Sequence, residues 1–312
     1  MKKKFLIAAV FAFFLLLLCF PQEALEGSSN GLLLWFHTVL PTLLPFIILT
    51  NFILKLDAVH ILCRFAEPVC RRLFSIGTYG CYALITGLLC GYPMGAKITA
   101  DLIRENRLST EESNYLLGIC NNASPMFLVG YVITQSLQCP EHKTALLLIV
   151  YGTPLLYAIC TKPNRHSAQI IQNSLQAPAN KKNGLTFRII DESIMNGFET
   201  ITRLGGYIIL FAIIAKMATV RLHTVTILNH FLIGFIEITN GVHSIGSSAL
   251  DIKWKIPLAV SIVTFGGLSG LAQTKSMIQG TSLSIRRYLL TKLKLAGISL
   301  LLSALYCQLF IA

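Results

Sequence analysis

The chain has 312 residues, 54% of them hydrophobic and only 13% charged, with a mean hydropathy of +0.65. Globular domains carry about 25% charged residues, so this composition excludes an ordinary soluble domain and indicates a polytopic membrane protein. The 26 Lys and Arg against 14 Asp and Glu leave +12, but the excess sits in loops and helix ends rather than in one patch, which membrane topology explains better than nucleic-acid binding.

Lys2–Lys4 precede an apolar run, Phe5–Phe20. These are the n- and h-regions of a signal sequence, yet the following FPQEALEGSS is a poor cleavage site, so the run reads as a retained signal anchor with a cytoplasmic N-terminus. Gly31–Leu56 reads as a span, with Trp35 and His37 at one interface, Lys55 and Asp57 at the other, Pro41 and Pro45 as kinks and Asn51 polar at depth. In Val59–Ser75, Arg64, Glu67, Arg71 and Arg72 interleave with Ile61, Leu62, Phe65, Val69 and Leu73. That is the pattern of an amphipathic helix lying in the interface, with Arg71 and Arg72 on lipid phosphate.

Ala83–Arg104 organises the chain. It is apolar enough to enter a bilayer, but Gly87, Gly91, Pro93 and Gly95 break it, and Lys97 and Asp101 follow four residues apart. Proline removes a backbone donor and glycine weakens a helix, so free amides and carbonyls are expected at the break. Lipid tolerates them only where protein or a watery cavity supplies partners. A helix start at Ser109 or Thr110 leads into a second break, Asn121-Asn122-Ala123-Ser124-Pro125, which resumes as MFLVGYVI. Ala145–Cys160 spans, and Thr161–Arg188 is a polar, basic loop. Ile194–Leu204 is amphipathic, with Glu199 and Arg203 placed to pair, and Gly205–Val220 spans. Val225–Gly246 carries Glu237, Asn240 and His243 in an apolar setting, and Pro257–Gly280 contains a further break with Gln273 and Lys275 beyond it. Arg286, Arg287, Lys292 and Lys294 lead into a last span, Leu295–Ala312.

The halves repeat. GLLCGYPMGAK (Gly87–Lys97) parallels GGLSGLAQTK (Gly266–Lys275), each followed by a Leu-Ser restart and Tyr-Leu-Leu, and Glu67…Ser75-Ile76-Gly77 parallels Glu237…Ser244-Ile245-Gly246. The expected organisation is a signal-anchor helix and short loop over 1–30, a first membrane repeat over 31–160, a polar basic loop over 161–190 and a second repeat over 191–312. Repeated halves with interrupted helices point to a secondary transporter with its site at the repeat interface. Strictly inverted repeats would put Arg104–Arg107 and Arg286–Lys294 on opposite sides, whereas the positive-inside rule puts both in the cytoplasm. Either the repeats are not strictly inverted, or one cluster binds solute or headgroups.

The stretches LWFHTVLPTLLPF, LLCGYPMGAKI, NNASPMFLVG, GFIEITNGVHSI and FGGLSGLAQTKSMI resemble the nucleoside-recognition Gate family, and most closely its sporulation integral membrane protein branch, the YlbJ or stage V sporulation protein V-like family. The resemblance runs from Gly31 to the C-terminus. It implies an all-α polytopic protein with a two-repeat core similar to concentrative nucleoside transporters, with interrupted helices and re-entrant hairpins. It also implies dipicolinate movement into the forespore, from the bacterial inner membrane or the outer forespore membrane.

The expected solute site comprises Gly91, Tyr92, Lys97, Asn121, Asn122, Ser124, Asn240, Gln273 and Lys275, with Glu237 as a coupling-ion candidate. Each has a plainer alternative. Lys97 and Lys275 neutralise an anion or snorkel to the interface. Glu237 binds a proton or Na⁺, or is a buried carboxyl bonded to backbone at a helix break. Asn121, Asn122 and Ser124 touch solute or satisfy carbonyls freed by Pro125. His37, His230 and His243 read as packed or interfacial. The nine cysteines form no CxxC pair, so neither a disulfide framework nor a metal site is expected, and no cofactor. The expected partners are a small anionic solute, membrane lipid and a second copy of the chain, with no nucleic acid. HExxH and GxSxG are missing from the sequence, so an enzyme is the least favoured class. A carrier of a small anionic metabolite leads, against an ion-coupled nucleoside transporter and a non-transporting scaffold of a sporulation complex.

Overall fold

The computed structural model describes residues 2–162, 187–221 and 227–311, and every regular element among them is helical. Among the described residues five helices are long and apolar enough to cross a membrane, or six if one sharply bent pair is counted. The expected basic loop Thr161–Arg188 lies outside the described residues except at its ends.

After α1 (Lys2–Cys19), helix α2 (Pro21–Leu34) continues through a wide π-turn (Trp35–Val39) into α3 (Leu40–Lys55), one rod of 35 residues. Pro41 has no N–H for the carbonyl of His37, and the ladder loosens just there, with Leu40 N–H reaching Trp35 O. The expected span Gly31–Leu56 is thus the second part of a longer helix, and the boundary at 30/31 falls inside α2. In place of a single interfacial helix over Val59–Ser75 there are two, α4 (Val59–Cys63) and α5 (Glu67–Phe74). Pro68, in the first turn of α5, cannot donate to the carbonyl of Arg64, so the chain turns between them. Ile61, Phe65 and Val69 remain exposed, as a surface that meets lipid requires.

Two segments fold back on themselves. Helices α6 (Thr78–Cys90) and α7 (Met94–Arg104) pack as a hairpin about Gly91–Pro93, close enough that a Cβ on Gly87 would lie 3.0 Å from Gly95 Cα. Helix α8 (Thr110–Cys120), capped by Ser109 Oγ on the Glu112 N–H, stops at Asn121. The chain resumes as a wide π-helix (Phe127–Ser136), and α9 (Lys143–Thr161) follows. The separate segments expected at Ile194–Leu204 and Gly205–Val220 are one helix, α10 (Phe187–Arg221), with Glu199 and Arg203 paired at 2.7 Å as expected. Gly205 does not break α10 but makes room for the Trp35 indole, which would lie 2.8 Å from a Cβ there. Helices α11 (Ile227–Ile236) and α12 (Ile238–Gly246) form the second hairpin, Gly241 pressed on the backbone of Gly234. Helices α13 (Ile252–Phe265) and α14 (Gly267–Met277) run on as one 26-residue span interrupted at Gly266, and α15 (Ile285–Phe310) starts well before the expected Leu295.

The sequence repeat is therefore in a different register from the structure. GLLCGYPMGAK lies in a hairpin, whereas GGLSGLAQTK lies in an interrupted span. Glycines and Leu-Ser starts recur wherever a buried helix must turn or begin, and they matched unlike elements. The ends pair crosswise. Arg104, leaving the first hairpin, donates to the carbonyls of Met277 and Gln279 at 2.9 Å each, and Asn114 Oδ1 accepts from Ser284 N–H at 2.9 Å. Gly246, leaving the second hairpin, sits on the Ser136 carbonyl. The basic stretches Arg104–Arg107 and Arg286–Arg287 consequently lie at one end of the molecule, and a single cytoplasmic face satisfies the positive-inside rule for both.

One long contact was not read from the sequence. Gly27 and Gly31 form a small-xxx-small pair through which α2 lies directly on α10, where their Cβ atoms would be 2.8 and 2.9 Å from Ile213 and Ile209 Cα. Glu26 and Lys216 close it at 2.6 Å.

Candidate functional site: a cavity where four helix interruptions meet

The four breaks converge. Gly91 has φ +85°, open to glycine alone, and lies so close to the second break that a Cβ would be 2.6 Å from Ser124 N. The Tyr92 ring covers Gly266, and its hydroxyl donates to the carbonyl of Val263 at 3.3 Å, in the last turn before that break. Gly267 (φ +68°) packs against the carbonyls of Gly234 and Ile236 at the tip of the second hairpin. Among these tips, α3, its π-turn and α10 lies a cavity of about 580 Å³, within the range of small-molecule sites.

At membrane depth each freed backbone group needs a partner, and the polar side chains at the breaks supply them. Glu237, 5% exposed, caps α12 by accepting from Thr239 N–H (3.1 Å) and Asn240 N–H (2.8 Å), and it also holds Asn240 Nδ2 at 2.8 Å. Ser124 Oγ accepts from Phe127 N–H at 3.2 Å. Asn121 Oδ1 accepts from Ala96 N–H in the first turn of α7 at 3.3 Å. Tyr151 donates to the Ala123 carbonyl at 2.8 Å, and Tyr131 to that of Thr239 at 3.0 Å. The first turn of α14 has no side-chain cap.

The structure brings Tyr92, Ser124, Glu237 and Gln273 to the cavity wall, with Gly91 directly behind Ser124 and Asn240 held beside it by Glu237. It withdraws four other expected residues. Asn121 Nδ2 bonds Thr274 Oγ1 and Tyr288 Oη, both at 2.9 Å, bracing α14 and α15, and Asn122 Nδ2 bonds the Ile119 carbonyl at 2.6 Å. Asn122 thus satisfies a carbonyl beside the break, as the plainer alternative has it, whereas Asn121 braces other helices through the Thr274 and Tyr288 hydroxyls and the Ala96 N–H. Lys97 is buried but lies a turn away from the cavity, and Lys275 is exposed on the last turn of α14. Among the described residues no Lys or Arg lines the cavity.

In sequence, Lys292 belongs to a basic helix end. It is 1% exposed, its Nζ donating to Asn122 Oδ1 at 2.8 Å. The signal was there in the spacing, since Tyr288, Lys292, Leu295, Ser299 and Ser303 recur every three or four residues along the buried stripe of α15. His37, Thr38, Tyr131 and Gln135 also line the cavity. Each stands outside the interrupted stretches, and only packing brings it in.

No protein-family model matches the chain, and no solved structure matches it. Among curated proteins it is similar to the sporulation integral membrane protein YlbJ of Bacillus subtilis (strain 168), 25% identical over 322 aligned positions that cover 92% of this chain and 79% of that protein. With its apolar helices and an alignment that covers most of both chains, the chain is an integral membrane protein similar to YlbJ.

Proposed function

We propose that the chain is a membrane carrier or facilitator of a small polar metabolite, and that the cavity at the four interruptions binds it. The observation that carries this reading is the convergence itself. Interrupted helices at membrane depth are costly, and here their loose ends face one shared cavity rather than four separate packing defects. The order hairpin, interrupted span, crossing helix occurs twice, as α6–α7, α8 with Phe127–Ser136, α9, and as α11–α12, α13–α14, α15. Crosswise contact of the ends supports two inverted halves, and with them the Gate-like core that the sequence resembles.

The first solute to test is dipicolinate, a flat aromatic dicarboxylate, because the similar B. subtilis protein is named for sporulation. Tyr92 and the stacked pair Phe127 and Tyr131 (centroids 5.3 Å apart) offer ring faces, and the uncapped first turn of α14 offers amide hydrogens. A neutral nucleoside is the second reading. It is favoured by the lining, where Glu237, Gln135 and Gln273 supply hydrogen bonds and no Lys or Arg offsets an anion.

Uptake of labelled dipicolinate and labelled uridine into proteoliposomes of the full chain separates the two. Saturable dipicolinate uptake that is lost in Gly91→Val supports the first, and uridine uptake alone supports the second. Uptake of neither, with normal dipicolinate content in spores of a deletion strain, would leave a scaffold of a sporulation complex.

A further inference from the structure

A second cavity, about 1010 Å³, opens at the end of the molecule where α7 terminates, lined by Asn51 and by charges of both signs: Lys55, Arg104 and Arg203 with Asp101, Glu105, Glu192 and Glu199. Both cavities follow the same seam. On α3 the central one is reached by Thr42 and Leu43 and the outer one by Asn51 and Leu54, and on α10 the two are reached by the neighbours Leu204 and Arg203. At α7 they are reached by Pro93, the residue just before its first turn, and by Asp101, each four residues from Lys97.

Lys97 lies on α7 between these two positions and lines neither cavity. It is 4% exposed, and its ammonium is held from two walls, by Asp101 Oδ2 at 2.6 Å on its own helix and by Asn51 Oδ1 at 3.1 Å on α3. Asn51 in turn donates to Asn196 Oδ1 on α10 at 2.9 Å. Asp101 Oδ1 accepts from Arg104 at 2.8 Å, and the other end of that guanidinium holds the two carbonyls at the end of α14. One chain of polar contacts thus ties α10, α3, α7 and α14 together across the seam between the cavities. An i,i+4 pair that only stabilised α7 would face outward and be worth a few tenths of a kcal/mol. Here the ammonium is buried while Asp101 is partly exposed; a buried charge is costly unless its partners are fixed, and one partner comes from the opposite wall.

We propose that Lys97 is the gate and anion filter between the outer cavity and the solute cavity. Held by Asp101 and Asn51 its ammonium closes the seam, and an anion entering from the outer cavity opens it by taking the place of the Asp101 carboxylate. The inference rests on the carrier reading and adds to it where the selecting charge lies: in the passage and not in the binding site.

Cys90 gives a test that needs no solute, since it lines the central cavity, is 3% exposed, and can be compared with the exposed Cys19 and Cys160. Purified full-length chain is treated with an anionic methanethiosulfonate or with a neutral one of similar size, and modification of Cys90 is followed by peptide mapping. In Lys97→Met the anionic-to-neutral rate ratio at Cys90 falls about tenfold, the loss expected for one hydrogen bond to a charged group. Lys97→Arg retains the ratio. In Asp101→Asn, which is isosteric and frees the ammonium, the ratio rises, and this variant decides alone if Lys97→Met does not fold. A ratio unchanged in the folded variants overturns the gate, whatever the transport assay gives. A charge-dependent ratio in a chain that moves neither dipicolinate nor uridine keeps the gate and removes the solute assignment.

Discussion

Glu237 offers the sharpest separation of a structural role from a chemical one. Its carboxylate accepts two backbone N–H groups and one side-chain amide at 2.8–3.1 Å, in a site with 5% exposure. Truncation to Ala strands those donors at a helix start, and the cost falls near the top of the range for caps, about 2 kcal/mol, because the acceptor is charged and buried. Asp is among the preferred capping residues and keeps both backbone bonds on a shorter stem, so Glu237→Asp is expected within about 0.5 kcal/mol of the parent. Gln keeps the shape and one acceptor oxygen and falls between, at about 1 kcal/mol. Thermal unfolding in detergent, read by the fluorescence of Trp35 and Trp254, places the variants in the order Asp, Gln, Ala, with a drop of roughly 4 °C or more for Ala. Because Asp preserves the cap while retracting the carboxylate from the cavity, loss of uptake in a variant of unchanged stability assigns the carboxylate a part in transport. An Ala variant as stable as the parent, or an Asp variant as unstable as Ala, would refute the capping argument.

Three further outcomes follow from packing. Gly91→Ala forces a side chain into φ +85° and onto Ser124 N, costing about 3 kcal/mol, whereas Gly270→Ala meets open space within a helix and is expected to stabilise by up to about 1 kcal/mol. Unfolding temperatures of the pair check both signs. Lys292→Met removes a buried cation together with its cost and is expected within about 1 kcal/mol of the parent, while Asn122→Leu leaves the ammonium unpaired and costs about 3 kcal/mol. Equal destabilisation by the two would contradict that asymmetry. Gly31→Ile pushes α2 off α10 at a contact of 2.9 Å, with an expected loss of about 2 kcal/mol, seen as earlier proteolysis of the N-terminal helices.

The sequence by itself determined where the rods break and what kind of solvent surrounds them. Pro93, Pro125, the Gly266-Gly267 pair and the apolar runs act through backbone chemistry confined to a few neighbouring residues, and three of the four interruptions lie where that chemistry requires it, the one at Glu237 having neither proline nor glycine. Ser109 and Ser284 cap the helices they precede for the same local reason. Which break folds back and which runs straight is decided elsewhere, by whether glycines such as Gly87 and Gly95, or Gly234 and Gly241, find each other across a turn. That is why the repeat read from residue order paired a hairpin with a straight span. The direction of a charged side chain is equally non-local. Lys292 and Lys294 occupy the same basic stretch, but Lys294 looks outward and Lys292 meets Asn122 inside. Only the packed structure settles this, because a buried charge is placed by the partners that three or four other helices bring to it, and those partners are distant in the chain.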